Sequence, residues 1–120
     1  RNYPRSEKED KNLYQSLAEY IEKNLEGNLS LEHLAEVFYV SKYHIAHTFK
    51  DHTGLSIHQY ITKKRLTACR EAILGGSEIT QAYLMFGFGD YSSFYRAFKK
   101  EYGISPREFR RGLGDGFGGP

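Results

Sequence analysis

Apolar residues recur along this chain at helical rather than strand spacing. Leu13, Leu17, Ile21 and Leu25 return every four residues, one stripe of a helix that Gly27-Asn28 ends. Ser30 stands where a short helix burying Leu31, Leu34, Ala35 and Phe38 needs a cap. Ser41 does the same for a third helix, with Ile45 and Phe49 inward and Gly54 at its end. Ser56-Ile57-His58-Gln59 has the reciprocal capping form and opens a longer helix to about Leu74. Its stripe is Ile57, Tyr60 with Ile61, Leu66, Cys69, Ala72 and Ile73. Gly75-Gly76 breaks the chain, and Ser77 is the expected cap of a fifth helix over residues 78–86. Asp90 caps a sixth, with Phe94 and Phe98 inward until Gly103. Ser105-Pro106-Arg107-Glu108 starts a seventh with a cap, a proline at the first helical position and an acid three residues on. No segment alternates as a strand would, so the expected fold is all-α, with seven helices.

One octet is written twice. Residues 49–56 read FKDHTGLS and residues 98–105 read FKKEYGIS, with Phe, Lys, Gly and Ser at identical spacing. A repeated unit of chain points to a repeated structural task. Each octet ends a helix that follows another short helix across a tight turn, and the second helix of each pair is polar outward. That is the pattern of a helix-turn-helix, in which the second helix enters the major groove. Phe49 and Phe98 would then lock the recognition helices to the core, and Gly-x-Ser would close each one and cap its successor. The expected organisation is a tail or linker over 1–12, a first unit over 13–56, a linking helix over 57–74, a second unit over 75–111 and a disordered glycine-rich tail over 112–120. At ~1.5 Å per residue the linking helix is about 27 Å long, against ~34 Å between successive major grooves on one face of B-DNA.

Charge sharpens the picture. Net charge over the 120 residues is only +2, but residues 1–36 carry five Lys/Arg against eight Asp/Glu, and residues 37–111 carry twelve against six. The basic part coincides with both octets, as the footprint of a polyanion would; an ordinary solvated surface is the competing reading. The single cysteine, Cys69, cannot pair within the chain, which fits a reducing, cytoplasmic setting. No apolar run approaches the ~18 residues of a membrane span.

The stretches SKYHIAHTFKDHTGLSIHQYITKKRL and GFGDYSSFYRAFKKEYGISPREFR together resemble the DNA-binding domain of AraC/XylS transcription regulators. The second is the more specific, and the resemblance covers about residues 13–111. It implies two helix-turn-helix units binding consecutive major grooves of double-stranded promoter DNA, with no cofactor. It also implies an N-terminal sensing, dimerisation or receiver domain, for which the first residue, Arg1 rather than Met, leaves room. RNA polymerase is a further partner expected of such an activator. Carried over by position, Tyr43, Ala46 and His47 fall on the outer face of the first recognition helix, and Tyr91, Ser92, Tyr95 and Arg96 on that of the second. Arg96 is the strongest base reader, since its planar fork can bridge guanine O6 and N7. His47 stands where many relatives carry arginine. For Tyr43 and Tyr91, partial burial competes with contact to a thymine methyl or sugar edge. Lys42, Lys50, Lys63, Lys64, Lys99 and Lys100 are candidate phosphate partners, each with simple solvation as its alternative. The chain departs from the family at Ala82-Tyr83, where Ile-Ala is usual, so Tyr83 is expected to overpack the helix crossing.

Two other functions compete. Five histidines and Cys69 invite a metal site, and His44-x-x-His47 shares a helix face, yet no third ligand stands at a convincing spacing. Cys69 lies on an apolar stripe, where packing is its expected role, and the carboxylate pairs Glu7 with Glu9 and Glu32 with Glu36 lie on solvated faces. No enzyme is expected. The second alternative is a protein-interaction module built on the apolar stretch 83–86.

Overall fold

The computed structural model describes residues 7–117. Among them the helices are α1 (Glu7–Lys23), α2 (Leu31–Phe38), α3 (Lys42–Thr53), α4 (Ile57–Leu74), α5 (Ile79–Met85), α6 (Tyr91–Tyr102) and α7 (Pro106–Phe117), and no strand occurs. The chain divides into two compact units between Ile61 and Thr62, inside α4. The linking helix therefore belongs to both cores. Ile57 and Ile61 pack with Leu17, Ile21, Leu29, Leu34, Ile45 and Phe49 in the first. Leu66, Cys69 and Ile73 pack with Ala82, Phe94 and Phe98 in the second.

The octet's task is visible in both units. Phe49 is fully buried, edge-on to Tyr14 and Tyr60 at ring distances of 5.1 and 4.9 Å. Phe98 is fully buried against Phe94, Tyr102 and Phe109, at 5.5, 4.7 and 5.7 Å. One turn on, the Gly54 N–H donates to the Lys50 carbonyl at 2.9 Å and that of Gly103 to the Lys99 carbonyl at 2.8 Å. Both glycines are left-handed, at φ 76° and 84°, where a side chain would clash with the carbonyl that follows. The serine then caps the next helix reciprocally. Ser56 Oγ accepts from the Gln59 N–H while Gln59 Oε1 accepts from the Ser56 N–H. Ser105 and Glu108 repeat the exchange at 2.9 and 3.1 Å. Ser41 Oγ accepts from the His44 N–H and Asp90 Oδ1 from the Ser93 N–H, starting the two recognition helices.

Four sequence expectations need correction. Helix α1 begins at Glu7, inside the stretch assigned to a tail, because Asp10 lies against His44 of α3 at 3.6 Å and so gives the polar first turns a partner. Helix α7 runs on to Phe117 despite its glycines, with Leu113 packed on the second core; residues 1–6 and 118–120 of the expected tails lie outside the described residues. The N-cap of α5 is Glu78, with no side-chain hydrogen bond, and Ser77 instead offers its carbonyl to Arg110 Nη1 at 2.8 Å.

The fourth correction concerns Tyr83. Its neighbour Ala82 is fully buried and supplies the small residue in the second core. Tyr83 is half-buried and lies nearly parallel to the Phe94 ring, 5.4 Å away at 21°, so its bulk is used as packing rather than forced into the crossing. Tyr83→Ala should therefore destabilise the domain by about 1–3 kcal/mol, read as a lower urea midpoint with an unchanged slope. An unchanged or raised midpoint would restore the overpacking view.

The turns between paired helices differ in one costly detail. The Val40 N–H reaches the Ala35 carbonyl at 3.3 Å and the Phe88 N–H reaches that of Tyr83 at 3.0 Å, the same closure in both. The residue before each donor has positive φ: Gly87 at 90° in the second unit, but Tyr39 at 56° in the first. At Gly87 an added Cβ would also stand 2.7 Å from Arg65 Nη1, so the guanidinium would have to shift, but the positive φ is the main constraint. Gly87→Ala should cost roughly 1–3 kcal/mol, whereas Tyr39→Gly should raise stability by about 0.5–1 kcal/mol, because a left-handed L-residue costs ~1–2 kcal/mol and glycine returns part of that as chain entropy. Paired urea melts of the two variants check both signs.

Asp90 adds a pH dependence. The Ser93 backbone N–H, then the Ser93 side chain, hold its carboxyl below the ordinary carboxylate range. A depressed folded-state value gives stability that is present above the unfolded value of about 4 and is lost as pH falls through the folded one. Asp90→Asn keeps an acceptor at the cap without the charge. The acid limb of the stability curve below about pH 4 should be shallower in that variant than in the parent.

Candidate nucleic-acid interface

Burial of Ile45, Thr48 and Phe49 fixes the rotation of α3, so its opposite face is presented outward. Tyr43 projects from that face, 77% exposed, with its ring nearly parallel to His47 at 5.8 Å and 12°. His47 is exposed, and its Nε2 lies 3.3 Å from Asp51 Oδ2, one turn further along. Ala46 is half-buried between these polar positions and the core. Lys50 is exposed, while Lys42 Nζ reaches Glu32 Oε2 of α2 at 3.5 Å.

Helix α6 is rotated by Phe94 and Phe98 in the same way. Ser92, Arg96, Lys99 and Lys100 are exposed, and Tyr95 is half-buried. Tyr91 is also half-buried, its ring 5.9 Å from both Tyr83 and Tyr95, and the Arg107 guanidinium sits 5.6 Å above it. The two tyrosines offered as base contacts thus differ: Tyr43 is free of the core, and Tyr91 is largely packing. Lys63 of α4 holds Glu101 Oε2 at 3.0 Å, and Lys64 is half-buried. Both exposed lysine pairs are surface ion pairs, which contribute little to stability and yield readily to another anion.

Two charged residues were not singled out from the sequence. Asp51 is the one carboxylate on α3, and the i to i+4 spacing from His47 was the signal. Arg107 was read only as part of a helix start, although the same motif places a guanidinium beside the first residue of α6.

The residues that suggested metal or nucleophilic chemistry are dispersed. His44 turns toward Asp10 of α1, so it does not share the outward face with His47. His33 meets the Tyr20 hydroxyl at 2.9 Å, and His52 stacks on Tyr14 at 4.6 Å with its Nδ1 3.0 Å from the Thr48 carbonyl. No group of three His, Cys, Asp or Glu side chains could hold a metal ion among the described residues. Cys69 is buried, its Sγ donating to the Ala82 carbonyl at 3.5 Å, and burial pushes its thiol up to about 12 despite the nearby Arg65 charge. Such a thiol is protonated at neutral pH and is a poor nucleophile. Among the described residues no helix is long and apolar enough to cross a membrane.

A family model described as "Helix-turn-helix domain" matches residues 34–112. The multiple antibiotic resistance protein MarA of Escherichia coli is 33% identical over 96 residues, which cover 79% of this chain and 76% of MarA. The HTH-type transcriptional regulator YkgA of the same organism is 38% identical over 101 residues, 82% of this chain and 41% of that protein. The match to the regulator LumQ of Photobacterium leiognathi covers 37% of its length, so the chain spans about two fifths of these two relatives. Among solved structures, the C-terminal domain of the response regulator AraT from Geobacillus stearothermophilus shares the fold with a TM-score of 0.77 and 30% identity, over 82% of this chain and 84% of that one. With two capped helix-turn-helix units and these relatives, the chain belongs to the AraC/XylS-type helix-turn-helix family of DNA-binding transcription regulators.

Proposed function

We propose that this chain is the sequence-specific DNA reader of a transcription regulator, with α3 and α6 each entering a major groove of one promoter site and the two grooves consecutive. The observation that carries the reading is the repeat itself. Two helices, anchored by equivalent phenylalanines and closed by equivalent Gly-x-Ser joints, keep their inward residues and present polar ones outward. Arg96 reads a guanine through its two-pronged donor edge, Tyr43 and His47 contact base edges from α3, and Ser92, Ala46, Tyr91 and Tyr95 complete the two surfaces. Lys42, Lys50, Lys63, Lys64, Lys99 and Lys100 supply phosphate contacts. The chain spans only 37% and 41% of LumQ and YkgA, which supports a further domain in the complete regulator. A sensing or dimerisation role for that domain, RNA polymerase as a partner and action in the cytoplasm belong to the same proposal.

Selection of bound duplexes from a random DNA pool tests this. Two enriched blocks about one helical turn apart are expected, and binding should weaken steeply as salt rises. Arg96→Ala should cost about 1–3 kcal/mol at one base position of one block and relax preference there alone. A pool with no enriched block, or an Arg96→Ala protein with unchanged base preference, would overturn the corresponding assignment.

A further inference from the structure

The two recognition helices are related position by position through the 49-residue repeat, so His47 corresponds to Arg96 and Asp51 to Lys100. In α6 that i, i+4 pair is all donor: a guanidinium and an ammonium, neither able to accept a hydrogen bond. In α3 the same two places hold an imidazole and a carboxylate, and His47 Nε2 faces Asp51 Oδ2 at 3.3 Å. A carboxylate only accepts, so it favours the tautomer that carries the hydrogen on the imidazole nitrogen beside it. In the neutral ring that leaves Nδ1 with a lone pair. The Tyr43 ring lies nearly parallel to the imidazole, with ring centroids 5.8 Å apart.

In the major groove, adenine N6 and cytosine N4 are amine donors, whereas guanine offers only the acceptors O6 and N7. We propose that Asp51 sets the base preference of the first recognition helix by holding His47 with an acceptor edge toward the groove, so that α3 selects adenine or cytosine where α6 selects guanine. This inference rests on the DNA-reading role of α3 given above. Asp51 is a positioning residue, acting through His47, and its negative charge also disfavours the acceptor edge of guanine. The two half-sites are then unlike by chemistry, which fixes the direction in which one chain lies on its site.

The test is pool selection with the whole chain at about pH 8.5, above the ordinary imidazole range, for the parent and for Asp51→Glu, Asp51→Ala and Asp51→Lys. In the parent, one position of the first block should favour adenine or cytosine over guanine by about three- to tenfold, the worth of one hydrogen bond. Asp51→Glu should keep that preference, Asp51→Ala should lose most of it, and Asp51→Lys should turn it toward guanine. The block read by Arg96 should not change in any of them. Asp51 is exposed, and a thermal melt confirms that each variant is folded. Nitrogen chemical shifts of the His47 ring, expected to show a hydrogen on Nε2 in the parent and a more mixed ring in Asp51→Ala, read the positioning without DNA. Should Asp51→Ala and Asp51→Lys tighten binding to all duplexes alike while the first block stays as it was, Asp51 merely repels phosphate and the proposal falls. A parent pool with two blocks, the first favouring guanine, sinks this inference and leaves the DNA reading standing. A pool lacking the first block removes both.

Discussion

Everything the two recognition helices present depends on how they are closed. In each, a buried phenylalanine sets the rotation of the helix, and five residues later a left-handed glycine stops it. The glycine N–H satisfies the carbonyl of the residue that follows the phenylalanine, so the helix end leaves fewer groups without partners, and a serine two residues on starts the next helix. Rotation and length are thereby decided by inward and terminal residues alone. The outward positions are left free of folding duties, which is what allows Tyr43, His47 and Asp51 in one unit and Ser92, Arg96 and Lys100 in the other to occupy the same frame.

The shared helix α4 extends that logic. Ile57 and Ile61 belong to one core and Leu66, Cys69 and Ile73 to the other, so neither unit is complete without its part of the same helix. A small unit buries too little apolar surface to be stable by a wide margin, and sharing one helix spares each unit an element of its own. Arg65, in the stretch of α4 that belongs to the second unit, also lies over the turn at Gly87. The apolar stripe of the linking helix is thus divided between the two cores.

Most of the fold was legible because its signals are local. A serine or aspartate before an apolar stripe and a glycine after it mark a helix without knowledge of what the helix touches, and five of the seven starts and all the buried phenylalanines followed from that. Where the sequence misled, the deciding contact was distant. Residues 7–10 have no apolar stripe, yet Asp10 meets His44 of α3. Tyr83 was judged by volume, while its orientation against Phe94 decided that it fits. Tyr43 and Tyr91 are the same residue type near the starts of equivalent helices, but only Tyr91 has Tyr83 and Arg107 beside it. His44 and His47 are one helical turn apart, and only the packing of α1 separates their roles. Among the expected features of the apolar stretch 83–86, Tyr83 and Phe86 pack on the second core and only Leu84 and Met85, 55% and 46% exposed, remain as surface.

The exposed ion pairs bear on how the interface can work. Lys42 with Glu32 and Lys63 with Glu101 hold their lysines near the surface without burying them. An exposed pair owes most of its geometry to the absence of a better anion, since solvent and salt already screen it. A phosphate can therefore take either lysine at small cost, and the carboxylate left behind remains solvated. The His47 and Asp51 pair is different in kind, because a neutral imidazole that donates from one nitrogen keeps an acceptor on the other, whereas a lysine ammonium has donors only. The repeat carries the same contrast in its own positions: a lysine follows both buried phenylalanines, while the carboxylate at the next position occurs in the first unit alone.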